Sequence, residues 1–193
     1  TSRQNGIIWH TQGSGKTLTM IWLAKWIKAH NHNARVLIVT DREELDEQIE
    51  RTFGGVDEKI VRTRSGADLI SLLMQEEKRL ICSLIHKFGQ RGGEATGSDY
   101  EKYIEELEKN LPQDFAPRGE FIVFVDECHR TQSGKLHLAM KHIMPDAVLI
   151  GFTGTPLLKK DKKTSLEVFG SFIHTYKFNE AVEDGVVLDL RYE

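Results

Sequence analysis

The sequence has 193 residues and a formal net charge of −3, and 39% of its residues are hydrophobic, 8% aromatic and 28% charged. This composition excludes a disordered or fibrous chain, because it supplies enough apolar side chains for the core of one domain. The apolar runs are too short to span a membrane, and Cys82 and Cys128 are too few for a disulfide framework. The first twenty residues lack the pattern of a signal peptide, so we expect a cytoplasmic protein.

The acidic residues are unevenly distributed. The segment Gly89–Pro117 contains seven acidic and three basic residues, and its net charge of −4 leaves +1 for the rest of the chain. This balance excludes a basic surface over the whole protein, yet a nearly neutral body can still hold phosphate contacts on one face.

Short apolar runs alternate with helical periodicity along the chain. We predict strands at Ile7–Trp9, Arg35–Thr40, Lys59–Arg62, Leu80–Ser83, Phe121–Val125 and Ala147–Phe152. Between them the spacing predicts helices over Met20–Ile27, Leu45–Phe53, Leu69–Leu73, Tyr100–Leu111 and Leu136–Ile143. This alternation predicts an α/β fold, in which a parallel β-sheet carries helices on both faces. The segment 89–117 is interpreted as a helical insertion on that body.

The two ends of the sequence suggest that it is part of a larger protein. It begins at Thr1 without a methionine and reaches a strand-like run almost at once, and its last residues are also strand-like. The alternative is a small protein that has been processed after synthesis.

A glycine-rich segment follows the first predicted strand and opens the first predicted helix. It contains Gln12, Gly13, Ser14, Gly15, Lys16 and Thr17. In this context the glycines let backbone N–H groups surround an anion, the helix start favours negative charge, and a lysine can reach the outer phosphates. His10 departs from the strict phosphate-loop pattern, which has glycine there. The alternative is a glycine-rich turn before a helix that happens to carry a lysine.

Two carboxylates end the strand Phe121–Val125. Asp126 would hold Mg²⁺, and Glu127 could polarise an attacking water molecule. By themselves they could equally be a solvated acidic pair at the end of a strand. Cys128 and His129 do not suggest a zinc site, because no second Cys/His pair has the spacing of metal ligands.

A third motif closes the strand Ala147–Phe152. Thr153, Gly154, Thr155 and Pro156 provide two hydroxyl groups beside a flexible glycine. Taken alone, this motif is an ordinary turn.

The three motifs together resemble those of superfamily 2 helicases and translocases, whose first RecA-like domain carries such motifs in this order. Longer stretches are similar to the motor region of the R subunit of type I restriction enzymes. These stretches are Ile7–Met20, Val36–Gln48, Asp126–Gln132, Ile173–Tyr176 and Ala181–Gly185. In that family histidine at position 10 is a common variant.

The resemblance implies a RecA-like P-loop NTPase that uses ATP and Mg²⁺. Residues 1–178 would form the first motor domain, and residues 179–193 would lead to a second one. Lys16 and Glu127 would be catalytic, and Thr17 and Asp126 would hold the metal. The triplet Thr153, Gly154 and Thr155 would couple hydrolysis to movement, and Thr40, Asp41 and Arg42 would lie near the DNA strand.

The resemblance also implies partners. These are double-stranded DNA, the methylation and specificity subunits of a restriction complex, and a second motor domain and a nuclease domain in the same full-length chain. No nuclease motif is recognisable in these 193 residues, so we expect ATP binding here and DNA cleavage elsewhere.

Three other functions stay open at the level of sequence. The closest is a DNA or RNA helicase of superfamily 2 outside restriction. A small-molecule P-loop kinase fits less well, because it would not need the second and third motifs and its lid would carry arginines. A binding module without hydrolysis is disfavoured by the intact Lys16, Thr17, Asp126 and Glu127.

Two weaker features have ordinary explanations. Trp22 and Trp26 could stack on nucleic-acid bases, but their spacing on one helix favours packing in the core. The run of Lys159, Lys160, Lys162 and Lys163 fits a DNA contact and a solvated loop equally well.

Overall fold

The computed structural model describes residues 4–40, 60–77, 79–85, 97–129, 133–155 and 165–188. Its strands are β1 (Gly6–His10), β2 (Ala34–Thr40), β3 (Val61–Arg62), β4 (Leu80–Leu84), β5 (Glu120–Val125), β6 (Val148–Thr153) and β7 (Phe172–Tyr176). Its helices are α1 (Lys16–His30), α2 (Gly66–Leu73), α3 (Gly97–Lys109), α4 (Ser133–Ile143) and α5 (Phe178–Glu183). The predicted helix at 45–53 and the lysine run after Thr155 lie outside the described residues.

The strands form a single sheet in the order β3-β4-β2-β5-β6-β1-β7, and every neighbouring pair is parallel. The six predicted strands are confirmed, with ends that differ by one or two residues. The seventh strand, β7, is an edge strand that the apolar pattern did not predict. Its residues are only partly covered, and Ile173 is 56% exposed. An edge strand of this kind lacks the continuous apolar run that marks a buried parallel strand.

Alternate residues of the central strands point to opposite faces of the sheet. In β2, Leu37 and Val39 pack on one side with residues of α2, α3 and α4. Val36 and Ile38 pack on the other side, where α1 contributes Met20, Ile21 and Ala24. The prediction of helices on both faces of a parallel sheet is therefore confirmed.

Helix α3 forms most of the described part of the segment 89–117, and it belongs to the core. Tyr100, Tyr103 and Leu107 of this helix are buried. The hydroxyl of Tyr103 donates a hydrogen bond to Ser83 Oγ at 2.9 Å, and burial raises the pKa of this phenol well above its usual value. The predicted helix is thus present, and it connects β4 to β5 with its apolar face in the core.

Helix α1 carries an exposed apolar stripe. Trp22 is 72% exposed, Trp26 is 59% exposed, and Leu18 lies one turn before them at 52%. The prediction that the two tryptophans pack in the core is therefore wrong. Their spacing does place them on one face of α1, but that face points away from the sheet. Trp26 instead stacks on His30, with 4.3 Å between the ring centroids.

Arg35 is a buried cation that ties three parts of the fold together. Its guanidinium donates to the carbonyl oxygens of Leu72, Leu73 and Arg118 at 2.6, 2.8 and 2.7 Å. The first two carbonyls lie at the end of α2, where carbonyl groups lack partners within the helix. The guanidinium also lies 4.5 Å from the ring centroid of Phe121. This side chain therefore adds to the backbone hydrogen bonds that already reach the end of α2, and it ties that end to the segment before β5.

Replacement of this arginine, Arg35→Leu, should lower the free energy of unfolding by about 3 kcal/mol, because it removes three hydrogen bonds from a charged donor to carbonyl groups in the interior. Urea denaturation of the 193-residue chain measures this value. Arg118→Ala is the matched control, because its side chain is 64% exposed and pairs with Glu76 on the surface. We expect the control to change stability by at most about 0.5 kcal/mol. Equal losses in the two variants would contradict the structural role of Arg35.

Candidate nucleotide site

The three motifs lie at one edge of the sheet. They follow the carboxyl ends of β1, β5 and β6, which are neighbours in the order β5-β6-β1. In open α/β sheets, ligands bind outside the carboxyl ends of the strands. The strand order therefore brings together segments that are more than 100 residues apart in the sequence.

The segment between β1 and α1 is a tight loop that depends on its glycines. Gly13 and Gly15 both have φ of 82°, a left-handed conformation that favours glycine. Ser14 donates from its backbone N–H and its hydroxyl to the carbonyl oxygen of Thr11, at 3.2 and 2.6 Å. Helix α1 begins at Lys16, so the free N–H groups of its first turn face the space above the loop. This arrangement suits an anion such as a phosphate group.

Lys16 links the loop to the two carboxylates after β5. Its Nζ lies 3.0 Å from Asp126 Oδ1 and 2.9 Å from Glu127 Oε1. Burial alone would lower the pKa of Lys16, but the charges of Asp126 and Glu127 outweigh it and raise this pKa above its usual value. The lysine is therefore a cation that neutralises two carboxylates, whose side chains are only 1% and 6% exposed.

The backbone at Glu127 is strained. Among the residues that the structure describes, it is the one non-glycine residue with a positive φ, which is 48°. Asp126 is held beside it by its N–H, which donates to Val39 O at 3.0 Å. Such conformations cost energy and persist where the surrounding structure imposes them, often at functional sites. Here the residue in this conformation is the one whose carboxylate binds Lys16 Nζ at 2.9 Å.

His129 joins the acidic motif to the third motif. Its Nδ1 lies 2.8 Å from Thr153 Oγ1 and 3.3 Å from Glu127 Oε2. Thr153 is fully buried, and its hydroxyl also accepts a hydrogen bond from the N–H of Thr155 at 3.2 Å. Sequence reasoning considered His129 only as a metal ligand and missed this role. The signal that could have indicated a contact with the acidic motif was the position of His129, two residues after Glu127.

A pocket of about 400 Å³ lies over the loop. Its lining comprises Thr11, Gln12, Gly13, Gly15, Lys16, Thr17, Leu18, Glu127, Gly154 and Thr155. Eight of these lining residues were predicted as site residues. Five of them belong to the glycine-rich segment, one is Glu127 of the acidic motif, and two belong to the third motif. Ser14 does not line this pocket, and its hydroxyl donates to Thr11 O.

The oxygen atoms of this site fit Mg²⁺. The Thr17 hydroxyl and the Asp126 carboxylate are the hard donors that this ion prefers, and Mg²⁺ in NTPases completes its shell with phosphates and water. No group of three or more His, Cys, Asp or Glu that could hold a metal occurs within the described ranges. A metal bound mainly through phosphate needs no such group.

Cys128 packs inward beneath the motif. It is fully buried, and a Cβ atom at Gly151 would come within 2.6 Å of its Sγ. Burial raises the pKa of the Cys128 thiol to about 12. The thiol therefore fills space against Gly151 and has neither the exposure nor the charge of a nucleophile or metal ligand.

The predicted DNA contacts are only partly described. Thr40 has no exposed surface, and its hydroxyl lies 3.4 Å from Asp126 Oδ2. The Thr40 side chain therefore supports Asp126 from the neighbouring strand, and the position of Thr40 near the DNA strand stays a prediction. Asp41 and Arg42 lie outside the described residues.

Comparison with known families matches the whole chain. The family model for SWI2/SNF2 ATPases aligns with residues 1–193. The chain belongs to the SWI2/SNF2 ATPase family. A protein of Methanocaldococcus jannaschii, assigned as the MjaIXP endonuclease subunit of a type I restriction enzyme, is 35% identical to this ATPase chain. That alignment covers 99% of the chain and 17% of the relative.

The ATPase chain spans about a fifth of the length of the curated relatives it matches, which are named as endonuclease subunits of type I restriction enzymes. A fragment from Vibrio vulnificus, assigned to an HsdR subunit of such an enzyme, superposes with a TM-score of 0.58 at 19% identity. The superposition covers 95% of this chain and 28% of the Vibrio fragment.

A Sulfolobus solfataricus SWI2/SNF2 ATPase core, determined in complex with double-stranded DNA, superposes with a TM-score of 0.55 at 18% identity. The superposition covers 86% of this ATPase chain and 31% of that core. These two likenesses confirm the RecA-like fold. In the part of the chain that the structure describes, no helix has the length and apolar character needed to cross a bilayer.

Proposed function

We propose that this ATPase chain is the first motor domain of the R subunit of a type I restriction enzyme. It would bind ATP and Mg²⁺ and use hydrolysis to move double-stranded DNA. This proposal is supported above all by the position of Lys16 Nζ. It lies within 3.0 Å of carboxylate oxygens of both Asp126 and Glu127, next to a loop of the phosphate-binding type. The names of the curated relatives favour restriction over a helicase of another kind.

Each residue of the site has a proposed task. The N–H groups from Gly13 to Thr17 would surround the phosphates of ATP, and Lys16 would leave the carboxylates to contact the outer phosphates. Thr17 and Asp126 would hold Mg²⁺, which neutralises charge on the phosphate oxygens when bound. Glu127, released from Lys16, would then accept a proton from the attacking water.

If Lys16 moves from the carboxylates to the phosphates of ATP, Glu127 becomes able to act as a base. While Lys16 binds both, Glu127 is an ion-pair partner and a poor base. Nucleotide phosphates would draw the ammonium away and leave Glu127 beside His129 Nδ1, which lies 3.3 Å from Glu127 Oε2 and 2.8 Å from Thr153 Oγ1. A change at the phosphates would thereby reach the third motif, which we propose couples hydrolysis to movement through Thr153, Gly154 and Thr155.

The remaining parts of the proposal concern the full-length protein. The partners would be double-stranded DNA, the methylation and specificity subunits, and a second motor domain and a nuclease domain of the same chain. The double-stranded DNA bound to the Sulfolobus core supports the choice of substrate. Asp41 and Arg42 are proposed as DNA contacts because they directly follow β2. Residues 179–193 would lead to the second motor domain, and the activity would take place in the cytoplasm.

The isolated 193-residue chain is expected to hydrolyse ATP very slowly, with little stimulation by DNA. RecA-like motors complete their site with arginines of a second domain, and such an arginine contributes roughly 10³–10⁵ in rate in other NTPases. Steady-state ATPase assays of the isolated chain and of the full-length protein, each with and without linear DNA, test this. A fast, DNA-stimulated ATPase in the isolated chain would overturn it.

The test of the function itself uses the full-length protein with its partner subunits. Displacement of a third DNA strand placed downstream of the recognition site reports translocation, and it should require ATP, Mg²⁺ and both DNA strands. If ATP is hydrolysed but the third strand stays bound at every spacing, the chain is an ATPase without translocase activity and the proposal fails.

A further inference from the structure

His10 occupies the position where a strict phosphate loop has glycine, and its side chain is buried. It is 8% exposed and lies between two aromatic rings of β7. The ring centroids of His174 and Tyr176 are 5.1 and 5.7 Å from its own, both in edge-to-face orientation. A glycine would leave this space empty. The imidazole therefore packs as a core side chain between the start of the loop and β7.

The imidazole connects three elements. Its Nε2 lies 3.0 Å from His174 Nδ1 on β7, and its Nδ1 lies 3.5 Å from Thr19 Oγ1 in the first turn of α1. Thr19 Oγ1 in turn donates to the carbonyl oxygen of Gly15 at 3.4 Å. The two ends of the loop, His10 and Gly15, are thereby joined through Thr19 and anchored to the edge strand.

These contacts are satisfied when Thr19 donates to Gly15 O and His10 Nδ1–H donates to Thr19 Oγ1, while His10 Nε2 accepts from His174 Nδ1–H or, in the protonated ring, donates to His174 Nδ1. The surroundings of His10 favour the neutral ring. Burial lowers its pKa, and the charges of His174 and Lys16 lower it further. Among the described residues, the titratable groups that face it are Lys16 from α1 and His174 and Tyr176 from β7, and none of them is a carboxylate.

The backbone adds a second anchor beside the first. The N–H of Thr11 donates to Tyr176 O at 2.9 Å, which continues the pairing of β1 with β7 into the loop. The loop is therefore attached at its entry to β7 by one backbone bond and one side-chain bond. Of these two attachments, the side-chain bond of His10 also leads on, through Thr19, to Gly15 at the far end of the loop.

We propose that His10 is a positioning residue of the nucleotide site, which holds the phosphate loop in its binding conformation by linking His174 of β7 to Thr19 of α1. This inference rests on the proposed function, because it assumes that the loop binds ATP. His10 touches no nucleotide; it acts through Thr19 and Gly15. Its removal therefore weakens nucleotide binding in the ground state and the transition state alike.

The test is a double-mutant cycle in the full-length protein, with binding of a fluorescent ATP analogue in Mg²⁺ as the readout. His10→Ala and His174→Ala should each raise the Kd by about 10-fold, and the double variant should be no weaker than either single one. At saturating ATP, kcat should stay within about 3-fold of the wild type, because uniform binding affects KM alone. His142→Ala on the exposed face of α4 is the control and should change neither value.

Thr19 provides a second variant in case the change at His10 prevents folding. Thr19→Val keeps the shape and removes the hydroxyl, so it should raise the Kd, whereas Thr19→Ser should restore it. An unchanged Kd in His10→Ala, additive effects in the cycle, or equal losses in Thr19→Val and Thr19→Ser would each overturn the proposal. Lys16→Ala separates it from the proposed function: if the wild type binds the analogue no better than Lys16→Ala does, both proposals fail together.

Discussion

Lys16→Ala in the full-length protein is expected to abolish DNA translocation and to lower the ATPase rate by at least about 10²–10³-fold. The ammonium group would be lost from the phosphates, where no other described cation lines the pocket. Rates of ATP hydrolysis with and without DNA, together with third-strand displacement, measure the effect. Lys102→Ala on the exposed side of α3 is the control, and it should retain the wild-type rates.

The same variant has a second expected effect that a residue with a purely catalytic task would not show. In the absence of nucleotide, Lys16 neutralises Asp126 and Glu127, and its loss leaves two buried carboxylates close together without that cation. Removal of one partner from a buried ion pair is strongly destabilising, or one carboxyl takes up a proton instead. The thermal midpoint of Lys16→Ala should therefore fall at pH 8 and recover as the pH is lowered.

A Lys16→Ala variant that translocates DNA at the normal rate would contradict the assignment of this loop as the phosphate-binding loop.

Glu127→Gln in the full-length protein should separate binding from hydrolysis. The exchange preserves volume and removes the negative charge that would accept a proton from water, which typically costs about 10²–10⁴ in rate. Thr17 and Asp126 are unchanged, so the Kd for the Mg²⁺–ATP analogue should stay within a few-fold. DNA cleavage at a distance should fail with translocation. Glu108→Gln, on the exposed side of α3, is the matched control.

The alternative role for Glu127 is that of a second ligand to the metal. In that case the Kd would rise as much as kcat falls, and higher Mg²⁺ would restore part of the activity. Measurement of Kd and kcat on one preparation distinguishes the two roles. Unchanged turnover would refute both.

The sheet and its site could be predicted because both leave local signals. Each buried strand is a short apolar run, and each of the motifs at Lys16, Asp126 and Thr153 directly follows such a run. Because parallel strands present their carboxyl ends at one edge, the order of motifs along the chain was sufficient to predict a shared site. The sequence alone did not predict that Lys16 would bind both carboxylates in the structure described here.

Contacts between distant residues could not be predicted in the same way. Arg35 is the second residue of β2 and looks like an ordinary polar interruption, yet its partners lie 37, 38 and 83 residues away. His10 and His129 likewise depend on partners in other strands. For Trp22 and Trp26 the helical spacing gave the shared face correctly, but periodicity does not state which of two apolar faces meets the sheet.

The position of β1 in the sheet determines when the nucleotide loop can be completed during synthesis. Of the described strands this one is made before the others of the sheet, but it pairs with β6 and β7, which are the last two of them to be made. At synthesis rates of about 5–20 residues per second, its backbone groups wait roughly 10–30 s for these partners. Pairing over such sequence separations is slow, and an apolar strand with two open edges invites association with other chains. A nascent chain that stops before Phe172 would hold a complete set of three motifs and still lack the strand that anchors its phosphate loop.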